Sequence, residues 1–227
     1  MKIKSKEQII EHFFSGNKPN QLIGVENEKF LFKKKGNERA EYSDLLKVFN
    51  IFIQKFNWQA IKEDENTIGL KKNGKTITLE PGNQIELSGS QLSNIHEVCS
   101  ESYEFQEKLN LACEDIGLTT LSVGYDPFSN INKIPNNPKK RYKIMTKEMP
   151  KNGPLSLEMM YLTAGTQINI DYKNEEDFKK KFKVASYLTP LSIALFSNSA
   201  IKENKFSGYL SYRSNVWQKT SRAGLPE

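Results

Sequence analysis

The stretch ITLEPGNQIELSGS, residues 77–90, sets two alternating apolar runs on either side of Pro81-Gly82. Ile77, Leu79, Ile85 and Leu87 read as a sheet interior, yet Glu80, Gln84 and Glu86 lie among them. A buried carboxylate needs a cation or a hydrogen-bond donor beside it, so this face meets either water or a ligand. In one straight strand Glu80 and Glu86 are about 20 Å apart, too far to share a metal ion. Pro81-Gly82 favours a bend or bulge that brings them nearer.

The neighbouring elements place this stretch in a sheet. Asn73-Gly74 joins two alternating runs and predicts a type I′ hairpin. Short strands are expected at Leu22–Lys33, Trp58–Glu63, Thr67–Lys72, Lys75–Leu87, Leu118–Tyr125 and Thr166–Tyr172. Helices are expected at Ser5–Phe14 with Ser5 as N-cap, and at Ser43–Phe56 with Ser43 as cap. Further helices are expected at Leu92–Ile116, stopped by Gly117, at Arg141–Met149, and at Glu175–Phe196, where Pro190 sits inside. Asp126–Lys140 holds three prolines and reads as a loop, as does the tail from Asn198 to Glu227. Strands in pairs with helices between them make this an α+β chain with a largely antiparallel sheet.

Residues two apart in a strand share a face. Glu26 and Glu28 therefore face together, as do Gln84, Glu86 and Ser88, and Gln167, Asn169 and Asp171. Antiparallel sheets often have one wet side. A wet face in this chain should be rich in Lys, however, and these faces carry Glu, Gln and Asn. Clustered carboxylates repel one another, and a divalent cation with all-oxygen ligands, Mg²⁺ or Mn²⁺, relieves that repulsion. His12 and His96 fall in helical segments without a partner at ligand spacing and are read as surface or packing residues.

The chain has 227 residues, 37% hydrophobic and 26% charged, long enough for a sizeable core. The net charge of +6 comes almost wholly from Lys; the arginines are Arg39, Arg141, Arg213 and Arg222. Nucleic-acid readers lean on Arg for bidentate contacts, so the charge does not point to nucleic acid. Cys99 and Cys113 are fourteen apart, which is no metal pattern; each is expected to be a small buried hydrophobe. On one helix they are separated by about 21 Å of rise, too far for a disulfide. No apolar run has the length of a membrane span, and MKIKSKEQIIEHFF lacks a signal-peptide core. These features predict a cytoplasmic protein without membrane partners.

GVENEKFLF, ITLEPGNQIELSGS, TQINIDY and GYLSYRSNVW occur in this order, supported by PKKRYKIM and SLEMMYLTAG. Together they resemble glutamate–cysteine ligase of the plant and proteobacterial type, over about Gly24 to Leu225. The resemblance implies a glutamine-synthetase-like ligase fold: a sheet with a polar active-site face, helices on the other face, and an incomplete domain. It implies ATP-dependent joining of L-glutamate to L-cysteine through a γ-glutamyl phosphate, the first step of glutathione biosynthesis. Two or more Mg²⁺ ions, or Mn²⁺, are implied, with ATP as substrate. Carried over by position, Glu26, Glu28, Glu80 and Glu86 are metal ligands. Gln84, Arg141, Gln167 and Asn169 bind substrates. Arg213 binds the glutamate α-carboxylate or the phosphates and is the catalytic candidate. Arginine suits such anion contacts.

The chain departs from the family pattern at Asn27, where His is common, and at Asn83, which replaces a Gly. Leu162 and Ala164 stand where Arg and Cys are frequent, so no redox or anion-binding role carries over there. Family members run to about twice this length. Residues 1–227 therefore read as one catalytic domain, the N-terminal part of a longer ligase, partnered by a missing C-terminal half or a second copy. A non-catalytic half that binds Mg²⁺, ATP or glutamate is the alternative, as is a γ-glutamyl ligase with another amine acceptor. A paired-carboxylate glycosidase, with Glu26 and Glu28 about 6.6 Å apart, leaves the Gln, Asn and Arg placement unexplained.

Overall fold

A computed structural model of the chain describes residues 3–220. The elements run α1 (Lys6–Phe14), β1 (Ile23–Lys33), α2 (Tyr42–Phe56), β2 (Gln59–Glu63), β3 (Asn66–Lys72), β4 (Lys75–Leu79), β5 (Ile85–Ser88) and α3 (Ile95–Glu114). They continue with β6 (Leu118–Leu121), α4 (Lys140–Glu148), α5 (Ser156–Leu162), β7 (Thr166–Ile170), α6 (Glu175–Leu195), β8 (Ile201–Lys202), β9 (Lys205–Phe206) and α7 (Tyr212–Gln218). Seven strands form one antiparallel sheet in the order β2-β3-β4-β5-β1-β6, with β7 also paired to β1. The α+β expectation holds.

The stretch from residue 77 to 90 is a hairpin and not one bent strand. β4 and β5 pair antiparallel with Leu79 opposite Ile85, and Thr78 lies opposite Glu86. The turn needs a left-handed residue, which Asn83 supplies at φ 63°. The expected break at Pro81-Gly82 is thus present, but as a full reversal between two paired strands and not as a bend or bulge within one. At the β3–β4 turn Asn73 and Gly74 both have positive φ, 47° and 79°, as a type I′ hairpin requires.

Alternation then separates the two faces. Leu31, Leu70, Ile77, Leu79, Ile85 and Leu87 point to one side and pack with α2 and α3. Leu45, Val48, Phe49 and Phe52 supply the α2 stripe; Phe105, Leu109, Ala112 and Cys113 supply that of α3. Phe52 is fully buried, its ring centroid 5.3 Å from Phe56, 5.9 Å from Trp58 and 6.4 Å from Phe105.

Four local expectations are corrected. The N-cap of α2 is Glu41, not Ser43, and its backbone N–H donates to Asp44 Oδ2 at 3.1 Å. Cys99 is exposed; only Cys113 is the buried hydrophobe expected of both. The segment Ser156–Leu162, unassigned from sequence, is α5. The tail is no plain loop but a β8–β9 hairpin followed by α7. Residues 221–227, including Arg222, lie outside the described residues.

Replacing Phe52 with Ala should lower stability by about 3–5 kcal/mol in a urea titration, since three aromatic neighbours cannot all collapse into the space. Burial pushes the Cys113 thiol up to about 12. At pH 8 an alkylating reagent should therefore label Cys99 alone in the folded chain and both thiols in denaturant, as read by intact mass.

Candidate functional site

β1 is the axis of the site. Glu28 lies opposite Glu86 on β5, and Glu26 lies opposite Ser88. Across the other edge Glu26 faces Gln167, and Gly24 faces Asn169, on β7. Register alone thus gathers Glu26, Glu28, Glu86, Gln167 and Asn169 on one face. Glu80 joins them from the end of β4 because the Pro81-Gly82 turn folds β5 back alongside it.

Each carboxylate has a local tether. Glu28 Oε2 accepts the Gly165 backbone N–H at 2.6 Å. Glu86 Oε1 accepts from Ser88 Oγ at 2.8 Å and Thr78 Oγ1 at 3.2 Å. Glu80 Oε1 accepts from Tyr142 Oη at 3.2 Å and lies 3.7 Å from Arg141 Nη2. Burial pushes the Glu28 carboxyl up to about 7, helped by repulsion from Glu80 and Glu86 and opposed by Gly165 N–H and Arg213. Burial and Glu86 also raise Glu80, and burial with Glu86 raises Glu26. Their negative charge is thus poorly balanced by the protein itself. Among the described residues, no three His, Cys, Asp or Glu side chains yet converge as a metal cluster. The donors are nonetheless all oxygen and under-compensated, which fits a hard divalent cation.

Beside Glu28 lies a cavity of about 750 Å³, lined by Arg213, Glu28, Ser122, Asn198, Ser211 and Ile193 among others. Arg213 reaches it from α7. Gly165 and Gly124 make room for its side chain: a Cβ on Gly165 would sit 2.9 Å from Arg213 Nη2, and one on Gly124 3.1 Å from Cδ. Burial lowers the Arg213 pKa and Glu28 opposes the shift. Its Nε has no hydrogen-bond partner among the described residues. A cluster around Glu158 secures α7. Glu158 accepts from Tyr125 Oη at 2.8 Å, Lys202 Nζ at 3.0 Å and Tyr212 Oη at 3.3 Å.

The remaining candidates separate. Arg141 is exposed, beside Glu80 at the edge of the carboxylate group. Gln167 and Asn169 stay exposed on β7, and Asn169 hydrogen-bonds to Glu26. Gln84 is buried, its Nε2 donating to Thr163 O at 2.8 Å and Met160 O at 3.2 Å, so its amide nitrogen ties the hairpin to α5. Sequence reading missed the Glu158 cluster and the Gly124–Gly165 slot, because both are assembled from distant segments.

A family model described as glutamate-cysteine ligase family 2 matches residues 22–227. The chain is 39% identical to glutamate–cysteine ligase A, chloroplastic, of Oryza sativa subsp. japonica, over 97% of its own length and 46% of that protein. It is 38% identical to the chloroplastic enzyme of Nicotiana tabacum, over 97% and 43%, and 36% identical to that of Arabidopsis thaliana, over 96% and 42%. The chain thus spans about half the length of the relatives it matches. These relatives are all named chloroplastic, which overturns the cytoplasmic expectation; the charge of residues 1–14 and the cysteine usage were too weak a basis for it. No described helix is long and apolar enough to cross a membrane.

A carboxyl raised by folding destabilises the fold once it must ionise. In EDTA the folded chain should therefore lose stability as pH rises from about 5 through 7, by up to roughly 3 kcal/mol from Glu28. Thermal melts should show this slope flattened in Glu28→Gln, whose amide oxygen still accepts from Gly165.

Proposed function

We propose, on the premise that this chain belongs to glutamate–cysteine ligase family 2, that it carries the metal and glutamate site of an ATP-dependent ligase. The observation that carries the proposal is the β5–β1–β7 register, which sets Glu26, Glu28 and Glu86 on one face, beside the cavity lined by Arg213. Glu28, Glu80 and Glu86, with Glu26 at the margin, are the residues to hold Mg²⁺ or Mn²⁺. A bound divalent ion would neutralise the ATP phosphates, and phosphoryl transfer asks mainly for positioning and charge neutralisation.

The chain's own groups supply the rest. The Arg213 guanidinium, with its free Nε and desolvated flank, binds an oxyanion: the α-carboxylate of glutamate, or a phosphate. Buried on the Gly165 side, it is pre-positioned, and little side-chain freedom is lost when the anion arrives. Asn169 and Gln167 offer amide donors and acceptors along the same face to orient the substrate. Arg141, more exposed, gives a second cation at the Glu80 end for the nucleotide phosphates. Phosphorylated glutamate would then be attacked by the amine of L-cysteine, with ADP and phosphate released.

A second reading has its own support. Every residue of β7 is exposed and α6 buries none of its residues, Phe178, Phe182, Leu188 and Leu191 included. A face of that kind favours a half that binds Mg²⁺, ATP and glutamate but turns over only with the polypeptide region that the longer relatives have in addition.

ADP release by the purified chain, with L-glutamate, L-cysteine, ATP and Mg²⁺ omitted in turn, separates the readings. Release that needs all four supports the ligase; release restored when a different amine replaces L-cysteine points to another amine acceptor. Saturable Mg²⁺–ATP and glutamate binding without release supports the binding half. Glu86→Gln should reduce turnover, or metal affinity where there is none, by about a hundred-fold or more while the folded circular-dichroism spectrum is kept. An unaltered Glu86→Gln protein would remove the metal assignment.

A further inference from the structure

Arg39 is a fully buried cation that no motif points to. It leaves the loop after β1 and lies on the face that carries Glu28, its Cζ 4.5 Å from the centroid of Phe30 and 5.7 Å from that of Phe32. Nη1 donates to Asp126 Oδ2 at 2.7 Å, with the two side chains 2% and 0% exposed. Nη2 donates to the backbone carbonyl of Gly82, inside the turn between Glu80 and Glu86.

That turn is held from several directions by side chains gripping its backbone. Asn83 Nδ2 donates to Ala40 O at 3.2 Å, next to Arg39. Asn137 Nδ2 donates to Glu80 O at 2.7 Å, and Lys139 Nζ to Leu79 O at 2.7 Å. A Cβ on Gly82 would lie 2.5 Å from Tyr161 O, so the turn has no room to shift. Asp126 is itself anchored by the Phe128 and Ser129 backbone N–H groups, at 2.8 and 2.9 Å. A guanidinium is the side chain whose planar fork can bridge a fixed carboxylate and a carbonyl at once.

We propose that Arg39 is a positioning residue: with Asp126 it locks the Pro81–Asn83 turn, and so sets where the Glu80 and Glu86 carboxylates stand relative to Glu28. The proposal rests on the metal reading given under Proposed function. A buried ion pair is weak evidence of net stabilisation, since desolvation offsets attraction. Its value here is geometric, because the pair connects the β1 face to the turn flanked by two of the four carboxylates.

The test uses the full chain and Mn²⁺ alone, titrated with a paramagnetic-resonance count of free ion. Arg39→Lys keeps a charge for Asp126 and loses the second arm to Gly82. It should weaken Mn²⁺ binding at least ten-fold and speed hydrogen exchange of the Asn83 amide, which donates to Glu80 O at 2.9 Å, by a similar factor. Leu109→Ala, a core change in α3, is the control: it should lower the melting temperature and leave Mn²⁺ affinity unchanged. If Arg39→Lys does not fold, Asp126→Asn, which frees Arg39 from its anchor, should show the same two losses. Unchanged Mn²⁺ affinity and unchanged Asn83 exchange in the variant would overturn the role of Arg39. A wild-type chain without Mn²⁺ binding overturns the metal reading and this inference with it; Asn83 exchange still shows whether Arg39 holds the turn.

Discussion

Several carboxylates set on one face of a sheet repel each other, and the rest of the site is organised around that repulsion. Glu28 is the centre. It pairs in register with Glu86, feels Glu80 and takes the Gly165 N–H, yet its carboxyl remains raised to about 7. The protein does not cancel this charge from within. Its cations near the face are placed at the periphery: Arg213 across the cavity, Arg141 at the Glu80 edge, Lys139 beneath the β4 end. Such an arrangement leaves a negative face with cations at its margin.

The backbone makes this possible. β1 is eleven residues long and is paired on both sides, so one strand aligns groups from β5, β6 and β7. Its first half presents Glu26 and Glu28 to the site; its second half, on the same face, presents Phe30 and Phe32. Those rings pack with Ala164 and support Arg39. The carboxylates and the aromatic packing therefore share one face of one strand, divided along its length. On the opposite face Leu31 joins the core with α2 and α3, and Asn27 donates to Ser102 Oγ on α3.

Glycines and tethers account for the remaining precision. Gly165 serves twice, its N–H on Glu28 and its bare Cα against Arg213. The Glu158 cluster fixes α7 through Tyr125, Lys202 and Tyr212 and so sets the base from which Arg213 extends. These are contacts between segments up to 137 residues apart in the chain, and no local pattern announces them.

Much was legible before any tertiary information. Period-two alternation gave the strands and their polar faces, Asn73-Gly74 gave a hairpin, and Ser5 gave a cap, because these signals are local. Co-linear motifs pointed to the ligase family through residues later found on one face. What the sequence by itself determined was which side of each strand is polar, since side-chain period is a property of the strand alone. What only the tertiary structure decided was which strands are neighbours and where the chain reverses. The antiparallel β4–β5 turn, not a bend in one strand, brings Glu80 to Glu86, and the buried Arg39–Asp126 pair grips that turn. Both depend on long-range register and burial, which are set when distant segments pack together and not by any residue's near neighbours.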